Sequence, residues 1–337
     1  MSITYNIFYI VCLSLTVSAF FSFIVSKYGY KILLIDTPNE RSSHSKPIPR
    51  GGGIGILIAY IGIGLYVVKN YSFILISSSI GLLGFIDDYF KLSSKIRLII
   101  QVILAIFAVY QYYKIIFLPA DILFFSFHVL FIVGTANFYN FMDGINGMSG
   151  LTGFVTFGLT TCFSYYIAHN IEITLMCISL ASACIGFLPF NVPNARVFMG
   201  DVGSIFLGFV FALFVLKLSL NINTFICITM FFCVFYADAL VTIFYRWQRG
   251  ENLTQAHRKH LYQYLSNEFA FDHWKVSLIY ACVQLFFGSL ALFAYTKGFV
   301  WQIVILVVFI FIFLTFYSHL TLTLTKINFK RHGKLIF

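Results

Sequence analysis

Long apolar stretches separated by polar gaps run the length of the chain. They are continuous, without the every-second-residue alternation of a lipid-facing barrel strand. Most approach the ~20 residues that a helix needs to cross a bilayer. The pattern predicts about eleven membrane helices, at roughly 5–26, 52–68, 71–86, 97–113, 116–136, 149–168, 171–190, 203–219, 222–244, 276–296 and 299–323. The first stretch is too long for a cleaved signal and lacks a basic start, so it reads as a span. Very short gaps (Lys69-Asn70, His169-Asn170, Asn221, Lys297-Gly298) alternate with long polar ones, as in a bundle whose chemistry is gathered at one end.

Composition agrees with the pattern. Hydrophobic types make up 60% of the 337 residues, with 42 Phe and 21 Tyr, and charged types only 10%. A soluble domain carries about 25% charged residues, so a soluble enzyme, a disordered chain and an ordinary nucleic-acid binder are excluded. The fold class is an all-α polytopic membrane protein. It reads as one integral-membrane domain over 1–325, followed by a basic tail at 326–337 suited to anionic lipid. The seven cysteines all lie in apolar stretches, with an odd count and no C-x-x-C, and read as small core fillers.

Charge sets the sidedness. The net charge of +10 sits in the gaps and not along one face. All 22 lysines and arginines except Lys69, Lys114, Lys217 and Lys297 fall on one side of the alternating topology. By the positive-inside rule that side is cytoplasmic, with loops 27–51, 87–97, 137–148, 187–203 and 245–275, and the N-terminus lies outside.

The twelve carboxylates are as uneven. Asp121 and Glu172 fall near the outer face, Asp238 lies within a span, and the rest sit at the inner loops or helix ends. Asp87, Asp88, Asp143 and Asp201 each adjoin a long apolar run, where a charge at membrane depth costs about 2.5–3.5 kcal/mol on insertion scales. One such aspartate is an ordinary cap; four flanked by Gly or Asn point to a site. The adjacent pair Asp87-Asp88 needs a cation or shared proton to relieve its repulsion. Asp201 stands between glycines before a new helix, where backbone N–H groups can meet a phosphate. Oxygen-only ligands from carboxylate and amide suit Mg²⁺ or Mn²⁺. Arg41, Lys46, Arg50, Lys95, Arg97, Arg258 and Lys259 supply counter-charge on the same face. Together these residues point to phosphoryl transfer between a soluble anionic donor and a lipid acceptor.

Five blocks carry a resemblance: Asp36-Thr-Pro-Asn-Glu-Arg-Ser-Ser-His44 with Pro49-Arg-Gly-Gly52, Gly84-Phe-Ile-Asp-Asp88 with Arg97, Asn140-Phe-Met-Asp-Gly-Ile-Asn146, Val197-Phe-Met-Gly-Asp-Val-Gly-Ser204, and His257-Arg-Lys-His-Leu-Tyr-Gln263. The chain resembles the polyprenyl-phosphate N-acetylhexosamine-1-phosphate transferases, and the last block resembles the O-antigen-initiating branch. The resemblance implies that a UDP-N-acetylated amino sugar donates its sugar-1-phosphate to undecaprenyl phosphate, releasing UMP with Mg²⁺ or Mn²⁺ as cofactor. It implies a multi-pass protein of the bacterial inner membrane, with the bilayer as partner, no nucleic acid, and homodimer formation left open. By the same likeness, Asp87 and Asp88 are catalytic, and Asp201 and Asn140 hold the metal. Asp143, Asn146, Arg97, Lys46, His257, Arg258 and His260 bind substrate. Many bacterial relatives carry an aspartate at the position of Asn146, so this chain has one negative charge fewer there.

Other readings compete. A lipid phosphate is already anionic at pH 7, so direct in-line attack is favoured over a phospho-aspartate intermediate. Zinc at His257 and His260 finds no carboxylate or Cys at ligand spacing. Asp238 reads as a buried partner of Arg246. A secondary transporter would place its carboxylates near the bilayer midplane within inverted repeats, and no repeat is seen. CDP-alcohol phosphatidyltransferases would need aspartates much closer in sequence than these.

Overall fold

Helices occupy every predicted stretch in the computed structural model, which describes all residues except 1–2, 33, 39–42, 69–70, 113–118, 254, 256 and 333–337. They are α1 (Ile3–Tyr28), α2 (Ile54–Val67), α3 (Tyr71–Phe90), α4 (Ser94–Tyr112), α5 (Pro119–Met142), α6 (Met148–Tyr166), α7 (Ile171–Phe187), α8 (Asp201–Leu218), α9 (Ile222–Thr229), α10 (Cys233–Gln248), the single turn α11 (Leu261–Gln263), α12 (His273–Lys297) and α13 (Phe299–His332). The stretch predicted at 222–244 is two helices, α9 and α10, joined by a tighter turn over Met230–Phe232. Among the described residues nine segments are long and apolar enough to cross a membrane, α9 and α10 together forming one. Of the other two predicted spans, α2 has only 14 residues and α6 is diluted by Gly, Ser and Thr. Arg41 and residues 333–337 of the predicted tail lie outside the described residues.

The helices are layered by how much lipid they face. The spanning window of α8 is 89% buried, against 22% for α1 and 17% for α13. α8 is therefore the axis of the bundle, flanked by α3 and α5, with α2 and α6 also in contact. Its residues from Val202 to Val215 are buried without a break. A helix apolar on all sides belongs in the centre of a large core, and Phe206, Phe209, Phe211 and Phe214 fill that centre. At the outer turns, Asn170 accepts from Ile173 N (3.0 Å) and Asn221 forms a reciprocal capping pair with Thr224, satisfying N–H groups that a helix leaves orphaned.

At the opposite end, α3 and α5 finish, α4 and α6 begin, and α8 begins. A two-residue hairpin, β1 (Ile35–Asp36) paired antiparallel with β2 (Ile48–Pro49), lies against this end. Backbone bonds stitch it on: Phe198 N donates to Pro49 O (2.8 Å), Gly52 N to Phe198 O (2.9 Å) and Gly53 N to Met199 O (2.9 Å). Glycine allows the closest approach. A Cβ on Gly84 of α3 would run into the backbone of Asp201 and Val202, whereas one on Gly62 of α2 would meet nothing. Gly84→Ala is accordingly expected to cost about 1–3 kcal/mol through overpacking, seen as a lower thermal midpoint in detergent, with Gly62→Ala unchanged beside it.

Candidate active site

The first turn of α8 is capped from another helix. Its preceding residue, Gly200, has no side chain to cap with and adopts φ +76°. Asp88, at the end of α3, fills the role: Oδ1 accepts from Asp201 N (3.0 Å) and Oδ2 from Val202 N (3.1 Å). The negative carboxylate at a helix N-terminus also meets the positive end of the dipole. A Cβ on Gly200 would strike that carboxylate. Arg50 completes the joint. It donates to the carbonyls of Asp87 (3.1 Å) and Asp88 (2.7 Å), and its Nε lies 3.4 Å from Asp88 Oδ1. The structure thus separates the two adjacent aspartates. Asp88 is 2% exposed with both oxygens committed to the backbone, a position that holds α3 against α8.

Asp87 faces a different partner. Its Oδ2 is 2.6 Å from Arg97 Nη1, and the same nitrogen is 2.5 Å from Asp201 Oδ2. The other oxygen of Asp201 accepts from Asn140 Nδ2 (2.8 Å), which also reaches Ser204 Oγ (2.9 Å). Residues from α3, α4, α5 and α8, far apart in sequence, therefore form one chain of contacts. Beside it is a cavity of about 240 Å³ lined by Asn140, Asp143, Asp201 and Arg50, and by Asp36, Ser43 and His44 from the hairpin loop. Gln263 of α11 and Asn191 also line it. Neither Asp87 nor Arg97 is on the cavity wall; Asp87 is joined to it through Arg97 and then Asp201.

Other predicted site residues are spread around this centre. Asn146 donates from Nδ2 to Pro193 O (3.0 Å), while its own carbonyl accepts from Ser277 Oγ (2.8 Å). A carboxylate could not make the first bond, which accounts for the missing charge at this position. Lys46 is exposed and off the cavity wall. His257 and Arg258 are half-buried, and among the described residues His257 Nδ1 and Arg258 Nε have no hydrogen-bond partner. Burial, helped by His260 and Arg246, pushes the His257 imidazole down to about 4, so it is neutral at pH 7. His260 is buried and its Nδ1 lies 3.3 Å from Asp238 Oδ1.

Asp238 is the anchor that sequence reasoning misassigned. It does not pair with Arg246, which instead binds Glu251 (3.2 Å) and the carbonyls of Asn252 and Gln255. Asp238 accepts from the backbone N–H of Leu261 (2.9 Å) and Tyr262 (3.3 Å) and from Tyr280 Oη (2.7 Å). So held, Tyr262 donates its hydroxyl to Phe141 O (2.9 Å) beside Asp143, which brings α11 and Gln263 to the cavity. The hairpin residues Asp36, Ser43 and His44 stood in a recognised block but were not singled out. Asn191 carried no sequence signal. It links two loops, accepting from Gly147 N (2.6 Å) and donating to Val197 O (2.9 Å).

Asp143 keeps a partial opening onto the cavity. Burial, with Asp201 and Asp36 adding negative charge, pushes its carboxyl up to about 8, so it holds a proton at neutral pH. The carboxylates of Asp36, Asp143 and Asp201 on the cavity wall are oxygen donors, the kind that hard divalent cations prefer. Among the described residues no three His, Cys, Asp or Glu side chains group closely enough to cage a metal.

Comparison with known proteins matches residues 70–219 to the model described as glycosyl transferase family 4. A probable undecaprenyl-phosphate N-acetylglucosaminyl 1-phosphate transferase of Bacillus subtilis (strain 168) is 30% identical over 202 residues, covering 55% of this chain and 56% of that protein. The undecaprenyl-phosphate alpha-N-acetylglucosaminyl 1-phosphate transferase of Thermotoga maritima is 30% identical over 195 residues, covering 57% and 60%. A phospho-N-acetylmuramoyl-pentapeptide-transferase of Wolbachia pipientis wMel is 31% identical over 196 residues, covering 51% and 60%. The chain spans 56–60% of the length of these relatives.

Two outcomes are expected from this geometry. Asp238→Ala leaves two buried N–H groups and a hydroxyl without their acceptor, and is expected to cost on the order of 3 kcal/mol, with faster proteolysis in 249–263. Asp143 has a folded pKa above its unfolded value of 3.8, so its contribution to stability is full below about pH 4 and is lost as pH rises through 8. Thermal midpoints of metal-free protein between pH 5 and 9 should therefore fall more steeply for the wild type than for Asp143→Asn.

Proposed function

We propose that this multi-pass membrane chain, whose residues 70–219 match the model of glycosyl transferase family 4, transfers an N-acetylated amino-sugar-1-phosphate from a UDP-sugar to undecaprenyl phosphate, releasing UMP. The observation that carries this reading is the meeting of Asn140, Asp143 and Asp201 on one polar cavity, with Asp87 joined to it through Arg97. The relatives named above supply the substrate class. The carboxylates at the bundle end, and not at mid-span, count against the rival transporter reading.

The residues have separable tasks in this scheme. Asp201 and Asn140 would hold Mg²⁺ or Mn²⁺, and a bound ion would neutralise charge on the donor's pyrophosphate. Arg97 and Arg50 provide positive charge beside the cavity, and phosphoryl transfer depends mainly on such positioning and neutralisation. Asp87 tunes the acceptor phosphate through Arg97, whose guanidinium it holds beside Asp201. Neutral His257 and the unpartnered Nε of Arg258 are free to donate hydrogen bonds to the sugar and phosphates. Gln263, set on the wall by Asp238, adds an amide for hydroxyl recognition. The acceptor attacks phosphorus in line, the bond to UMP breaks, and the electron pair leaves with UMP. Such an active site faces the cytoplasm of a bacterial inner membrane, where UDP-sugars are found.

The test is UMP release by purified full chain in nanodiscs with Mg²⁺, undecaprenyl phosphate and a panel of UDP-sugars. Turnover is expected with at least one N-acetylated donor, reduced by on the order of 100-fold or more in Asp201→Asn. An acid-stable sugar-phosphate adduct on Asp87 or Asp143 would replace direct attack with a covalent route. Folded protein that releases no UMP with any donor would end the assignment.

A further inference from the structure

We propose that Arg97 is a displaceable competitor of the divalent cation: its guanidinium bridges Asp87 and Asp201 and must leave Asp201 when the ion enters. This inference rests on the reading of Asp201 as a metal ligand. Both oxygens of Asp201 are occupied by nitrogen donors, Oδ2 by Arg97 Nη1 and Oδ1 by Asn140 Nδ2. Asn140 therefore presents its amide N–H₂ to the carboxylate, where a metal ligand must present oxygen. In this arrangement the pair is a hydrogen-bonded ion pair and not a coordination site. Conversion needs the guanidinium withdrawn and the Asn140 amide turned over.

The two arginines of the site differ in a way that fits such a part. Arg50 is tied to the backbone carbonyls of Asp87 and Asp88 as well as to a carboxylate. The side-chain partners of Arg97 among the described residues are the two carboxylates alone. Arg97 lies in the first turn of α4 with its side chain 22% exposed, so it can swing without unpacking the helix. It cannot retreat along α4. One turn on, Gln101 is fully buried, its Oε1 is taken by Asn137 (2.6 Å) and its unpartnered Nε2 is itself a donor. A substrate phosphate in the cavity that Asp201 lines would offer the guanidinium a new partner. The same positive charge thus serves twice. It keeps Asp87 and Asp201 from repelling each other before the ion binds, then pairs with phosphate once the ion has replaced it.

Competition of this kind makes a prediction of opposite sign to that for a simple helper residue. Full chain in nanodiscs, stripped of metal, is titrated with Mn²⁺ while the free-ion EPR signal is read, and with Mg²⁺ while the thermal midpoint is read. Arg97→Met is expected to have a lower midpoint without metal and to half-saturate at about tenfold lower Mn²⁺, within the usual range of coupling between two sites. Arg97→Lys, which retains the charge but loses the planar fork, should fall between Met and wild type, and it carries the test if the Met variant fails to fold. A half-saturation unchanged or raised in the folded variants overturns the proposal. Wild type that binds no Mn²⁺ at all, with or without UMP, overturns instead the metal reading on which the proposal rests.

Discussion

A carboxylate on the N-terminus of the central helix is the contact on which the site depends. α8 begins at the membrane boundary on a glycine that cannot cap it, and orphan N–H groups in that setting need an acceptor. Asp88 of α3 supplies one to two successive N–H groups. This fixes the angle and depth at which α3 meets α8, with Gly84 and Gly200 left bare so that the backbones can close. Asp87 and Asp201 are the neighbours of that joint in their own chains, so their side chains are delivered to the same place by backbone geometry.

Around the joint the protein handles negative charge by three different means. Asp88 is spent on backbone N–H groups and Arg50. Asp87 and Asp201 share one guanidinium. Asp143, with no arginine of its own, is dehydrated until it keeps its proton at neutral pH. A boundary where charge is expensive can carry four aspartates because none of them is an isolated anion. A divalent ion would redistribute this balance, and the freed guanidinium and the ionisable Asp143 are the groups able to respond.

The loop after α10 shows the same economy on a larger scale. Asp238 lies inside the bundle, yet its oxygens reach forward to Leu261 and Tyr262 and across to Tyr280 of α12. One buried carboxylate thereby ties a polar loop to two spanning helices. The loop is presented to the cavity by Tyr262 and Gln263, while Glu251, with Arg246 and Lys259, steadies its other end. Positioning of a soluble-facing loop is thus anchored in the apolar core, where a hydrogen bond faces little competition from water.

The apolar runs alone determined that this is an all-helical membrane protein, because bilayer thickness and backbone hydrogen bonding leave few other solutions. The aspartates beside those runs, with their glycines and asparagines, also marked where chemistry would gather, since charge at such depth needs a reason. Tertiary structure alone could decide what each one does. Asp87 and Asp88 are adjacent letters, but a helix turns successive side chains by about 100°, sending one to Arg97 and the other to α8. Asn146 reads as a lost charge and is a donor to Pro193 O; Asp238 reads as a partner of Arg246 and anchors residues more than twenty positions later. Asn191 reaches the cavity by side-chain bonds between two loops, and the hairpin that carries Ser43 and His44 is set beside it by backbone bonds at Pro49, Gly52 and Gly53. A pattern along the chain records burial and spacing, whereas those pairings depend on which helix ends meet and in what rotation.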